Sequence, residues 1–122
     1  MIYSKTKKTS INKFIYIGVN IMNLIEFKEY MEERLDKEKF ENKLRISIEE
    51  NNREIEEAKY RVKDKNMSTV IKQNWDYMIK LQYDLVKKSL SEKNKENDYE
   101  EWEKFISENE LVEQTNSSFS EY

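Results

Sequence analysis

The chain contains no proline and a single glycine, Gly18, in 122 residues. Glycine adopts positive φ without steric cost and proline pre-sets the backbone of a turn, so together they build most tight reversals. A chain almost without them is poorly equipped for hairpins, phosphate-cradling loops or strained elbows. It is well equipped for helices, because 39% of it is Asp, Glu, Lys and Arg and the apolar residues recur at spacings of three and four. We expect an all-α fold, a small bundle of three to four helices around a central antiparallel helical hairpin.

The same economy limits chemistry. Histidine and cysteine are both absent, which removes the usual neutral-pH general base, the thiol nucleophile and the soft metal ligands. A lone glycine excludes a P-loop or dinucleotide fingerprint. Carboxylates remain: Glu29, Glu32 and Glu33, or Glu50, Glu54 and Glu57, have helical spacing that would gather a hard cation. A solvated face paired with neighbouring Lys and Arg accounts for the same residues more simply. We expect no cofactor, no metal and no catalytic residue.

Hydrophobic residues make up 37% of the chain and aromatics 12%, so rings should supply much of a thin core. The 22 basic and 25 acidic residues nearly cancel, to a net charge of −3, which suits salt-bridged helical surfaces better than a self-repelling disordered chain. The charge is segregated along the sequence. Residues 1–22 carry four lysines and no acid, residues 23–97 balance, and residues 98–122 carry eight acids against Lys104. A modest total hides a basic head and an acidic tail.

Residues 1–22 read as a basic N-terminal extension, disordered or not native to the protein. The apolar run Phe14–Met22 follows lysines as in a signal peptide, but Asn20 interrupts it and it is too short for a membrane span. We expect neither export nor insertion; with no cysteine to oxidise, a cytoplasmic setting is expected. Heavy use of Lys, Asn, Ile, Glu and Tyr is what an AT-rich gene produces, which points to a low-GC bacterium or one of its phages. The peptide Gly18-Val19-Asn20-Ile21-Met22 could be encoded by a ribosome-binding site and an ATG, making Met22 the natural start.

From Asn23 the helical signals become specific. Asn23 is a good N-cap, Glu26 completes a capping box, and Met22 with Phe27 fits a hydrophobic staple. Leu24, Phe27, Met31 and Leu35 mark one face. The next set, Phe40, Leu44, Ile48, Ile55, Ala58 and Val62, lies on a rotated face, so a break is expected near residues 36–39. Ile48, Ile55 and Val62 recur every seven residues with Asn51 in the seam, a coiled-coil-like register that would allow a homodimer. Asn66–Ser68 is the expected turn into a helix lined by Ile71, Trp75, Met78, Ile79, Leu85, Val86 and Leu90. A second capping box, Asp98 with Glu101, opens a short helix carrying Tyr99, Trp102, Phe105 and Ile106. The folded domain is expected over residues 23–113, with residues 114–122 a flexible polar tail.

Two surfaces are candidates for binding. The acidic helix places Glu100, Glu101 and Glu103 beside Tyr99 and Trp102, a charge array that would meet a basic partner protein, with Trp75 as a further aromatic anchor. Lys59, Arg61, Lys63, Lys65 and Lys72 gather near Tyr60, Trp75 and Tyr77, with Lys87, Lys88, Lys93 and Lys95 at the far end of the same helix; basic residues among aromatics suit nucleic acid. In composition alone, with no motif, the chain resembles the loose class of small acidic inhibitors encoded by phages and mobile elements, anti-CRISPR proteins among them. The expected function is a non-enzymatic, cytoplasmic interaction protein, with a nucleic-acid-binding regulator as the first alternative and a homo-oligomeric coiled-coil-like protein as the second. The partner expected is a protein, such as a nucleic-acid-binding protein of the host. The reading of the start site has a direct check: the natively expressed protein should show an intact mass that begins at Met22, and a mass including Met1 would refute it.

Overall fold

The computed structural model describes residues 21–120, in which five α-helices and one 3-10 turn form an all-α bundle with no strand among the described residues. The helices are α1 (Leu24–Glu32), α2 (Lys37–Glu54), α3 (Asp64–Ser91), α4 (Tyr99–Glu108) and α5 (Leu111–Ser120), with the 3-10 turn Ala58–Tyr60 between α2 and α3. The expectations for residues 1–20, the start site among them, lie outside the described residues. Met22, placed at the end of that extension by sequence, is a fully buried core residue.

Helix α1 begins where its local signals place it. The Asn23 side chain accepts from Glu26 N at 2.8 Å and the Glu26 carboxylate accepts from Asn23 N at 2.9 Å, so both bonds of the capping box are formed. Each satisfies a backbone N–H that the first turn leaves without a helical partner. The break falls at residues 33–36, and Asp36 caps α2 by accepting from Lys39 N. Of the second apolar set, Phe40, Leu44 and Ile48 lie on α2, while Ile55, Ala58 and Val62 fall beyond its end at Glu54, so the expected seven-residue repeat does not run along one helix.

Helix α3 is the spine. It runs 28 residues, about 42 Å at 1.5 Å per residue, and buries Met67, Ile71, Trp75, Ile79, Tyr83, Val86 and Leu90. Two aromatic triads rest on it. Tyr83 stacks on Trp102 of α4 at 5.2 Å and meets Phe27 of α1 edge-on at 5.5 Å. Trp75 meets Phe40 of α2 edge-on at 5.1 Å and Phe119 of α5 at 6.3 Å. Offset and edge-to-face pairs of this kind contribute about 0.5–1.5 kcal/mol each beyond area burial. Each amphipathic ring also satisfies its polar atom. Tyr83 OH donates to Met22 O at 3.0 Å, Trp75 Nε1 to Glu32 Oε2 at 2.7 Å, and Trp102 Nε1 to Glu96 O at 2.8 Å. Because Met22 lies by Tyr83 and Glu32 by Trp75, α1 runs antiparallel to α3.

Four expectations are corrected. The central element is α3 alone; α2 buries no residue fully and lies at the edge of the bundle. The chain does not turn at Asn66–Ser68, which lie inside α3; α2 ends at Glu54 instead. Asn52, the neighbour of the expected seam residue Asn51, makes this connection, its Nδ2 donating to Val62 O at 2.8 Å and its Oδ1 accepting from Val62 N at 3.0 Å. Arg61 closes the segment by donating Nε to Ile55 O at 2.7 Å and a second guanidinium nitrogen to Glu56 O at 3.1 Å. Leu85 faces solvent, and Met67 and Tyr83 take core positions.

The fourth correction is the tail. Residues 114–120 belong to α5, with Thr115 and Phe119 buried. The polar residues that suggested fraying are engaged. Asn116 Oδ1 accepts from Asp36 N at 2.7 Å and its Nδ2 donates to Arg34 O at 3.1 Å, which pins the α1–α2 break. Thr115 Oγ1 accepts from Gln82 Nε2 at 3.0 Å, and Lys43 of α2 donates to Ser118 O.

The other reversals are made without glycine. At the end of α3, Lys95 N donates to Leu90 O at 2.8 Å and Asn94 N to Ser91 O at 3.0 Å, the Schellman pattern, with Asn94 left-handed at φ 59°. Between α4 and α5, Glu110 takes φ 51°. A side chain with a Cβ pays about 1–2 kcal/mol in that region, and glutamate lacks the local hydrogen bonding that eases it for asparagine. Glu110→Gly should therefore raise stability by about 1 kcal/mol, read as a higher urea midpoint at unchanged m-value; a midpoint lowered by a comparable amount would show the left-handed residue to be unstrained.

Candidate functional site

Helix α4 is held against α3 by Trp102 and Ile106, both buried. That contact fixes which way its acids point. Asp98 caps α4 by accepting from Glu100 N at 3.0 Å, two residues on, so the expected capping box with Glu101 does not form. Glu101 turns instead to Lys95 Nζ, at 3.6 Å. Glu100 is exposed, and Glu101 and Glu103 are half-exposed. Acids in the first turn lie at the positive end of the helix dipole, where negative charge is well placed.

Tyr99 sits at the head of this face, half-buried among charges. Burial, together with the carboxylates of Glu103 and Glu26, pushes its phenol up to about 12, with Tyr30 adding to the rise and Arg34 opposing it. Tyr30 of α1 shares these surroundings: burial raises its pKa, Arg34 lowers it, and Glu103 and Glu113 raise it. The Arg34 guanidinium lies 3.6 Å from the centre of the Tyr30 ring and donates to Tyr30 O at 2.8 Å. Carboxylates from α1, α4 and α5 thus act on two tyrosines that one guanidinium lies beside.

Sequence reasoning found Tyr99, Glu100, Glu101 and Glu103 and missed Tyr30, Arg34, Glu26 and Glu113. Only the spacing of four between Tyr30 and Arg34 pointed to that pair. The two tryptophans proposed as anchors lie elsewhere: Trp75 and Trp102 have no exposed surface and their N–H groups are satisfied internally. Half-buried Tyr99 and Tyr30 are the aromatic rings that this face offers.

The basic cluster is brought together less well. Lys59, Arg61, Lys63, Lys65 and Lys72 are all exposed, but three serve local structure. Arg61 ties the α2–α3 connection, Lys59 pairs with Glu57 at 3.6 Å over the Tyr60 ring, and Lys72 pairs with Asp76 at 2.8 Å. Asp76 also accepts Lys28 of α1 at 2.9 Å, and the hydrogen bonds from Lys72 and Lys28 hold its carboxyl below the usual range. Being exposed, these pairs contribute little stability. Tyr77, expected among the aromatics of this cluster, points to solvent on α3.

Of the carboxylate sets weighed for a cation, Glu32 is taken up by Trp75 and by Lys37 at 3.6 Å. Among the described residues, no group of three or more Asp and Glu is placed to hold a metal ion, and no helix is long and apolar enough to cross a membrane. No protein-family model matches the chain, no curated protein matches it, and no solved structure matches it.

The raised tyrosine has a pH consequence. Tyr99 ionises near pH 10 when unfolded but only at about 12 in the fold. Between those values the unfolded chain sheds a proton that the native state keeps, so stability contributed by burying the phenol is intact below pH 10 and lost as pH rises towards 12. Ultraviolet titration should show Tyr99 ionising late, and Tyr99→Phe should flatten the decline of stability across this window; an unchanged slope in the variant would place the effect on other tyrosines.

Proposed function

We propose that this protein is a non-enzymatic interaction protein that docks a macromolecular partner through the acidic face of α4, and that the partner's surface is basic, as on a protein that binds nucleic acid. The supporting observation is the convergence of carboxylates from three helices on Tyr99 and Tyr30, with Arg34 as the cation among them. Outward acids on a rigid helix steer a cationic surface during approach, and half-buried tyrosines give contact area at low entropic cost. The corresponding role is that of a small inhibitor or accessory factor of the kind phages and mobile elements encode, its helix standing in for a run of phosphates.

The nucleic-acid alternative has weaker support, since Arg61, Lys59 and Lys72 are engaged within the fold. One assay separates the readings. A fluorescent oligolysine peptide and a fluorescent single-stranded oligonucleotide are titrated with the protein at rising salt. The acidic-face reading expects peptide binding that weakens with salt and falls about tenfold in a Glu100→Gln, Glu101→Gln, Glu103→Gln variant, an effect of about 1.4 kcal/mol. A control with Glu49→Gln, Glu54→Gln and Glu56→Gln changes net charge equally and should bind nearly as the parent does. Equal losses in the two variants would reduce the effect to net charge and overturn the reading. Oligonucleotide binding with a steep salt slope would favour the alternative.

A further inference from the structure

The outer side of α3 carries an apolar stripe that the described residues leave exposed. Tyr77, Leu81 and Leu85 follow one another at intervals of four and are 63%, 51% and 59% exposed. They lie on the side of the helix opposite Trp75, Ile79, Val86 and Leu90, the residues that face the core. Exposed leucines scattered singly are ordinary; two leucines and a tyrosine aligned on one side of the longest helix form a continuous apolar ridge. Ridges of residues four apart are also the ones that interlock most often when helices pack.

We propose that this face pairs with the same face of a second copy, the two α3 helices lying antiparallel about a two-fold axis level with Leu81 and Gln82. The charges beside the stripe favour this pairing. One flank of the stripe carries Lys80 and Asp84, which within one chain pair with each other at 2.6 Å. In an antiparallel pair each flank meets its own copy, so Lys80 comes opposite Asp84 of the second chain and Asp84 opposite its Lys80. The flank is self-complementary, as an isologous interface must be. In the register that sets Leu81 against Leu81, Tyr77 meets Leu85 and Lys88 falls opposite the uncharged Asn74, while Lys80 and Asp84 of the second chain are offset by two residues, about 3 Å along the helix, which a lysine side chain spans. No like charges are set against each other. The stripe spans about 12 Å, shorter than a standard interface requires, so the dimer is weak and concentration-dependent.

This surface is distinct from the acidic face of α4 and from the Ile48, Ile55 and Val62 repeat, so the inference stands apart from the proposed function. The test is sedimentation velocity of the full chain over a concentration series, with circular dichroism melts confirming that each variant folds. The parent should shift from monomer towards dimer as concentration rises. Leu81→Glu should abolish the shift. Lys80→Glu should weaken association at least tenfold by opposing two acids, and the swapped variant Lys80→Glu with Asp84→Lys should restore it, because exchange of the two charges preserves the complementarity. A parent that stays monomeric throughout, or a dimer that survives Leu81→Glu, would overturn the proposal; so would a Lys80→Glu variant that associates like the parent, since it would refute the antiparallel register.

Discussion

Helix α3 holds this protein together through two rings. Trp75 and Tyr83 lie eight residues apart on one side of a straight helix, and each gathers aromatic partners from two further helices. With 37% hydrophobic residues, the chain cannot build a broad aliphatic core, and large flat rings bury more area per residue than any aliphatic side chain. The rings also carry polar atoms, which burial would strand. The structure satisfies the N–H groups of Trp75 and Trp102 and the hydroxyl of Tyr83 with a carboxylate and two backbone carbonyls. Those bonds fix where α1 and the α3–α4 connection must lie, so packing and polar satisfaction impose one arrangement.

A chain without proline, and with its only glycine at position 18, still has to connect five helices between Leu24 and Ser120. It does so with side chains that imitate backbone. Asn52 and Asn116 each present a donor and an acceptor to a connecting segment, and Arg61 supplies a forked donor to two carbonyls. Asn94 accepts the left-handed conformation that glycine usually takes at a helix end. Glu110 accepts it without that aptitude, and the helices on both sides hold it there. Asn116, which follows α1 by more than 80 positions, fixes the break after α1. A local break is thus secured by a long-range bond.

The charged surface follows from the burial of the tryptophans. Because Trp102 turns inward, α4 shows solvent its acids, with Tyr99 at their margin. The inward turn also brings α4 beside α1, which carries Tyr30, with Arg34 just past its end, so the candidate face joins residues from three helices. Its composition was legible in the acidic bias of residues 98–122, and half its members were not. Nothing local to Tyr30 or Arg34 marks them as neighbours of Tyr99, or Glu113 as a neighbour of Tyr30.

The sequence by itself determined the class of fold, the start of α1 and the break before α2, because capping boxes and apolar spacing act over three or four residues and need no partner. It also leaves the chain without histidine or cysteine. Tertiary structure decided the rest. The order of Asn, Thr and Ser in residues 114–118 looks like a frayed end until Gln82, Asp36 and Lys43 are brought to it from other helices. Asn66–Ser68 looks like a turn until Asn52 and Arg61 secure one earlier, and Leu85 looks like core until Tyr83 occupies the inward position. In each case the energy of the local signal is small and equivocal, and a contact between distant residues outweighs it.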